Sequence, residues 1–167
     1  MSHAPCPDDE RARFRSVLGH YPTGVAVITA LTPTGEPVGM TVGTFSSVSL
    51  QPALVSFLAD HTSTSLPRIG SAASFCVNVL AEDQQDMGRT FAARGDDKFA
   101  GLGWSTTATG SPRLDGVAAW VDCTIEYVHT TGDHLLVLGR VVDLRADPQR
   151  RPLLFLRGGF GHFRPAA

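Results

Sequence analysis

Two long apolar and β-branched runs, residues 118–130 and 135–145, face each other across Gly132-Asp133. Gly-Asp suits a two-residue hairpin turn, because glycine reaches positive φ without a Cβ clash and the flanking strands can then pair antiparallel. Shorter runs with strand character precede and follow this pair. Residues 24–31 and 38–44 form a second hairpin around Thr32-Pro33-Thr34-Gly35-Glu36-Pro37, and further strands are predicted at 53–59, 74–80 and 152–156. Helical signals are few. Asp8 and Asp9 can cap a short helix with Phe14, Val17 and Leu18 on one face, ended by Gly19 and Pro22. The Ser/Thr-rich stretch 61–65 leads into a helix over 66–71 with Pro67 in its first turn, and Met87 and Phe91 mark a helix over 82–93. Residues 94–112 read as a loop-rich excursion. Strands thus follow one another more often than they alternate with helices. That order predicts a mainly β chain, an antiparallel barrel of about seven strands with short helices at its ends, not a doubly wound sheet.

Composition narrows the function classes. With 43% hydrophobic and 18% charged residues, the 167-residue chain is globular and suited to one domain. A formal net charge of −2 without a Lys/Arg cluster argues against nucleic acid as a partner. No apolar stretch approaches the ~20 residues of a membrane span, and the first 15 residues lack a signal-peptide core. Cys6, Cys76 and Cys123 fit neither a disulfide framework nor zinc spacing. Cys76 and Cys123 read as small core residues, and a cytoplasmic location is expected.

Self-contained catalytic motifs are missing. There is no P-loop, no G-x-G-x-x-G opening a helix and no G-x-S-x-G elbow. The six histidines include no i, i+3 or i, i+4 pair, so no local helical metal site is expected. A chain so poor in acid–base groupings can still be an enzyme if a cofactor carries the hard chemistry.

Four segments carry a signal, each with an ordinary structural explanation. Thr41-Val42-Gly43-Thr44-Phe45-Ser46-Ser47-Val48-Ser49 places hydroxyls and backbone N–H groups at a strand end, where they can hold a phosphate or a ring edge; it also reads as a polar edge strand. Pro22-Thr23-Gly24 reads as a helix stop, His134 after Gly132-Asp133 as an exposed turn residue, and 157–163 as a glycine-rich flexible tail.

Their order is more specific than any one of them. Pro22-Thr23-Gly24-Val25, then Gly39-Met40-Thr41-Val42 running into Phe45-Ser46-Ser47-Val48-Ser49-Leu50-Gln51-Pro52, then Phe75-Cys76-Val77-Asn78-Val79-Leu80, Asp97-Lys98-Phe99, Gly132-Asp133-His134 and Arg157-Gly158-Gly159-Phe160 together resemble the short-chain flavin reductase family, the reductase components of two-component flavin-dependent monooxygenases. The resemblance covers residues 11–163 as one domain, behind a flexible N-terminal segment 1–10. It implies an antiparallel split β-barrel (the FMN-binding split barrel) and a homodimer with flavin near the subunit interface. FMN or FAD would accept hydride from NADH or NADPH, and reduced flavin would diffuse to a partner monooxygenase.

By the same resemblance, Pro22, Thr23 and Gly24 line the flavin ring. Thr41, Val42, Thr44, Phe45, Ser46, Ser47, Val48 and Ser49 wrap the flavin, with Thr44, Ser46 and Ser47 donating hydrogen bonds. Ser74 and Phe75 sit against the flavin, and Lys98 is a phosphate or structural contact. His134 meets the nicotinamide nucleotide as the catalytic-site histidine, and Arg157 and Phe160 close over it. Gly43 and Gly159-Phe160-Gly161 depart from the family pattern, which commonly has Asn at the first and a basic, tyrosine-rich tail at the second. Such a protein must stack two flat rings within about 3–3.5 Å and needs no strong acid or base. Two other readings of the residues stay open: a pyridoxamine-phosphate-oxidase-like enzyme with tightly held FMN, and a non-catalytic flavin or haem module with His61, His129 or His162 as axial ligand.

Overall fold

The computed structural model describes residues 8–95 and 97–166. Helix α1 (Asp8–Leu18) leads into β1 (Thr23–Gly24), β2 (Ala26–Leu31), β3 (Pro37–Val42), β4 (Ser46–Leu50) and β5 (Ala53–Asp60). Next come α2 (Leu66–Gly70), β6 (Ser74–Val79) and α3 (Gln85–Ala92), then β7 (Trp104–Thr106) and β8 (Pro112–Leu114). The long pair β9 (Ala119–Thr131) and β10 (His134–Ala146) is followed by β11 (Leu153–Leu156) and β12 (Gly159–His162). Of the expected N-terminal segment 1–10, residues 1–7, Cys6 among them, lie outside the described residues, while Asp8–Glu10 already belong to α1.

Seven strands form one sheet in the order β3-β2-β6-β9-β10-β5-β4, every pair antiparallel. The sheet rolls into the split barrel expected from the sequence. At the seam, just beyond β3, the Thr44 hydroxyl donates to the Leu58 carbonyl and accepts from the Leu58 N–H, both at 2.9 Å. Gly132 takes φ 62° in the β9–β10 turn, the first central position of a two-residue loop.

Strand β2 shows why the apolar run is unbroken rather than alternating. Ala26, Ile28 and Ala30 point into the barrel with Val55, Phe57, Phe75, Val77 and Val137, and α2 adds Leu66 and Ile69 to that core. Val25 and Val27 point the other way, against Leu80, Phe91, Leu114 and Leu153. A strand covered on both faces has no polar face to show. Met87 joins this second core beside Phe91, as the i, i+4 spacing required. Cys76 and Cys123 are fully buried. Burial first, then the nearby Asp122 carboxylate, pushes the Cys123 thiol up to about 12, and the same two causes raise Cys76 further. Both are inert packing residues.

Several boundaries differ from the sequence expectation. The return strand ends at Val42 rather than residue 44. Helix α3 starts at Gln85 rather than residue 82, because residues 81–84 form a turn closed by the Gln84 side chain, whose Oε1 accepts from the Ala81 N–H at 3.0 Å. The excursion 94–112 contains β7, paired with β8. The tail is no flexible strip: β11 and β12 form a hairpin whose Arg157-Gly158 turn has φ 51° and 83°, and β11 also pairs with β1. β1, β7, β8 and β12, of two to four residues, are too short to show a period, whereas β11 falls within the strand expected at 152–156.

Candidate flavin and nicotinamide site

Segments far apart in the chain converge on one surface region. The Thr41 hydroxyl at the end of β3 donates to the Gly88 carbonyl of α3 at 2.8 Å. A Cβ placed on Gly43 would lie 3.0 Å from the Thr23 hydroxyl oxygen, so the β3–β4 link passes directly against β1. A Cβ on Gly88 would meet Val25 at 3.6 Å and the Phe160 ring at 3.7 Å. Pro22, Thr23, Gly24, Thr41, Gly43 and Phe160, singled out separately in the sequence, are therefore neighbours.

Their side chains divide into two groups. Pro22, Gly24, Ser46, Ser47 and Val48 are exposed, and Thr23, Ser49 and Phe160 are half-buried. The hydroxyls of Ser47 and Ser49 have no hydrogen-bond partner among the described residues, whereas Ser46 donates to the Ser47 carbonyl at 3.1 Å. The Thr41 and Thr44 protons are already committed, to Gly88 and Leu58. Val42 is buried in the barrel core, with Phe45 packed against it. Phe75 is fully buried, edge-on to Phe57 with ring centroids 5.3 Å apart, so its ring contacts core and not surface. Ser74 bonds Ser111 at 2.9 Å. Lys98 is buried and donates to the carbonyls of Phe91 and Gly39 and to Ser65.

His134 opens β10 directly opposite Asp60 of β5. Its Nδ1 lies 2.6 Å from the Asp133 carboxylate. That hydrogen bond holds the Asp133 carboxyl below its ordinary range, so the carboxylate accepts, Nδ1 carries the proton and Nε2 is left for another partner. Asp60 is held low as well, first by the Thr62 N–H donating to it at 2.7 Å. Asp60 in turn lines a cleft of about 190 Å³ with Thr41, Thr62, Thr64, Arg94 and Lys98. Sequence reasoning saw stretch 61–65 only as a helix cap. The N-cap of α2 is Ser65, whose side chain makes no capping bond, while the Ser63 hydroxyl accepts from the Leu66 N–H at 3.3 Å; Thr62, Ser63, Thr64 and Ser65 all line the cleft.

The region suits a flat, phosphate-bearing ring system. Gly24 exposes backbone with nothing within 4 Å of where a Cβ would stand, whereas at Gly43 that position is taken up by the Thr23 side chain; on β4, Ser47 and Val48 are exposed and Ser49 is half-buried. The cleft is smaller than the roughly 300–1,000 Å³ of typical small-molecule sites. Among the described residues no group of three His, Cys, Asp or Glu side chains is placed to hold a metal ion, and no helix is long and apolar enough to cross a membrane.

The flavin reductase-like domain family matches residues 18–164. This chain belongs to that family. A flavin reductase of Pseudomonas putida is 49% identical over 150 residues, covering 90% of this chain and 88% of the relative. The reductase subunit HsaB of a flavin-dependent monooxygenase from Rhodococcus jostii is 46% identical, covering 92% and 78%. Among solved structures, the NADH:FAD oxidoreductase SgcE6 of Streptomyces globisporus, in complex with NAD and FAD fragments, superposes with a TM-score of 0.89 at 34% identity, covering 99% of both chains. With family membership, the spacing of Pro22-Thr23-Gly24, the Ser/Thr block and Gly132-Asp133-His134 has a common explanation that composition alone did not supply.

Proposed function

We propose that the chain is an NAD(P)H-dependent flavin reductase that supplies reduced FMN or FAD to a partner monooxygenase. The observation that carries the reading is the convergence of Thr23, Gly43, Thr41 and Phe160 on one surface, in a chain of the flavin reductase-like family. Bound flavin supplies the two-electron acceptor that no side chain of the protein provides. The protein's own part is placement. Gly24 allows backbone to approach a ring face, Ser47 and Ser49 hydrogen-bond its polar edge or phosphate, and His134 offers Nε2 to the nicotinamide nucleotide while Asp133 fixes its tautomer.

A homodimer is part of this reading. On α1, Phe14, Val17 and Leu18 are 65%, 61% and 54% exposed, and Leu50 on β4 is 90% exposed. Apolar side chains that cover nothing within a subunit favour a second copy, and a second copy would enlarge the small cleft. A cytoplasmic setting suits the two buried free thiols.

The deciding experiment is NADH and NADPH oxidation with and without added FMN or FAD. Oxidation that depends on free flavin is the expected result and selects both partners in the reaction. A protein that purifies stoichiometrically yellow and stays so through gel filtration would instead favour the tight-FMN oxidase-like alternative. His134→Ala is expected to raise KM for NAD(P)H about tenfold while changing the flavin KM by less than about twofold. Equal loss on both, or none, removes His134 from this role.

A further inference from the structure

Arg89 stands at the junction of the convergent segments. It follows Gly88, whose carbonyl holds Thr41 and whose Cα faces the Phe160 ring. Its guanidinium carbon lies over that ring, 5.1 Å from the centroid. The same guanidinium donates to the Asp86 carboxylate at 2.9 Å, one turn back on α3, and both side chains are largely exposed, 60% and 97%. Phe160 is otherwise held edge-on to Phe155, 5.4 Å between centroids, in the β11–β12 hairpin.

We infer that Arg89 is a phosphate-binding residue of this site, and that its place over Phe160 is a resting position. Two features carry the inference. First, the cations lining the adjoining cleft are Arg94 and Lys98, and Lys98 is buried and donates to the carbonyls of Gly39 and Phe91, whereas the Arg89 guanidinium is largely exposed beside Phe160. Second, both present contacts of Arg89 are weak ones, an exposed ion pair and an exposed cation–π contact. A phosphate offers the planar guanidinium two parallel charge-assisted hydrogen bonds, which exceed either. Capture of a phosphate therefore draws Arg89 off the Phe160 ring and leaves that ring freer to move against the incoming nucleotide. Charge complementarity fixes the chemistry as phosphate. Its source is either the flavin's phosphate or the pyrophosphate of the pyridine dinucleotide, since Arg89 lies over Phe160 and directly follows Gly88, whose carbonyl holds Thr41.

The inference rests on the flavin reductase reading, and the test separates the two. Binding of FMN and of riboflavin is measured by quenching of flavin fluorescence. Oxidation is measured with NADH and with the phosphate-free donor 1-benzyl-1,4-dihydronicotinamide. Arg89→Ala is expected to weaken, about tenfold, either FMN binding but not riboflavin binding or the KM for NADH but not for the benzyl donor. The first pattern assigns the flavin phosphate and the second the dinucleotide. Arg89→Lys recovers part of the loss and Arg89→Gln none, because charge and not packing is at stake. Equal losses for phosphate-bearing and phosphate-free compounds would make Arg89 a packing residue for Phe160 and overturn the inference, as would no loss for any. Failure of the wild-type protein to oxidise either donor with any flavin overturns the reductase reading, and this inference with it.

Discussion

Phe75→Ala lowers the stability of the fold by about 3–5 kcal/mol, the range for removing a buried aromatic ring. The ring is fully buried at the start of β6. It meets Phe57 edge-on, and it covers Gly139 on β10 so closely that a Cβ there would lie 2.4 Å from its tip. Gly139 sits where β10 pairs with both β5 and β9, next to an irregularity in the β9–β10 register. The ring thus reaches over β9 and fills the space that the glycine leaves. Urea denaturation of the single and double variants checks this. Gly139→Ala alone costs about 1–3 kcal/mol by overpacking, and much less on the Phe75→Ala background, where the clash is gone. Strictly additive losses would show that the two positions are not coupled and that the ring's place is held by something else.

The second large effect is expected at Asp122, a fully buried carboxylate on β9. It accepts from the Thr107 hydroxyl at 2.7 Å, the Thr109 N–H at 2.9 Å and the Thr109 hydroxyl at 2.5 Å. Ser111 extends the network, 3.0 Å from Thr109 and 2.9 Å from Ser74. Asn78 ties the next part of the same excursion, accepting from the Leu114 N–H at 2.8 Å. These side chains hold the β7–β8 hairpin to the outer wall of the barrel. Asp122→Ala leaves the Thr109 N–H and two hydroxyls without their acceptor and costs about 2–4 kcal/mol, since hydrogen bonds to a charged group are worth more than neutral ones. Amide hydrogen exchange is the informative readout. Protection is lost first over the hairpin, residues 104–114, while β9 and β10 keep theirs. Uniform loss across the sheet would mean that Asp122 supports the barrel itself and not the hairpin.

The amino-acid sequence by itself determined the long β9–β10 hairpin, the β2–β3 hairpin, the helices and hence the antiparallel barrel. Each of these rests on a local rule: a period of two or 3.6, a proline in a first helical turn, or a glycine where φ must be positive. It also determined the family, through the order of Pro22-Thr23-Gly24, the Ser/Thr block and Gly132-Asp133-His134, although no single segment was decisive.

Tertiary structure decided which of those residues are exposed and which are buried. Ser47 and Phe75 carried equal weight as flavin contacts in the sequence, yet one is exposed with a free hydroxyl and the other closes the core. Thr44 has the same side chain as Thr41, and only the rolled sheet shows that one clasps β5 at the seam and the other α3. Arg89 gave no signal at all, because its significance lies in Phe160, some seventy positions later, being folded back beneath it. The physical reason is common to these cases. Local propensity depends on near neighbours in the chain, whereas burial, the partner of a hydroxyl and the place of a charge depend on segments brought together when the sheet closes.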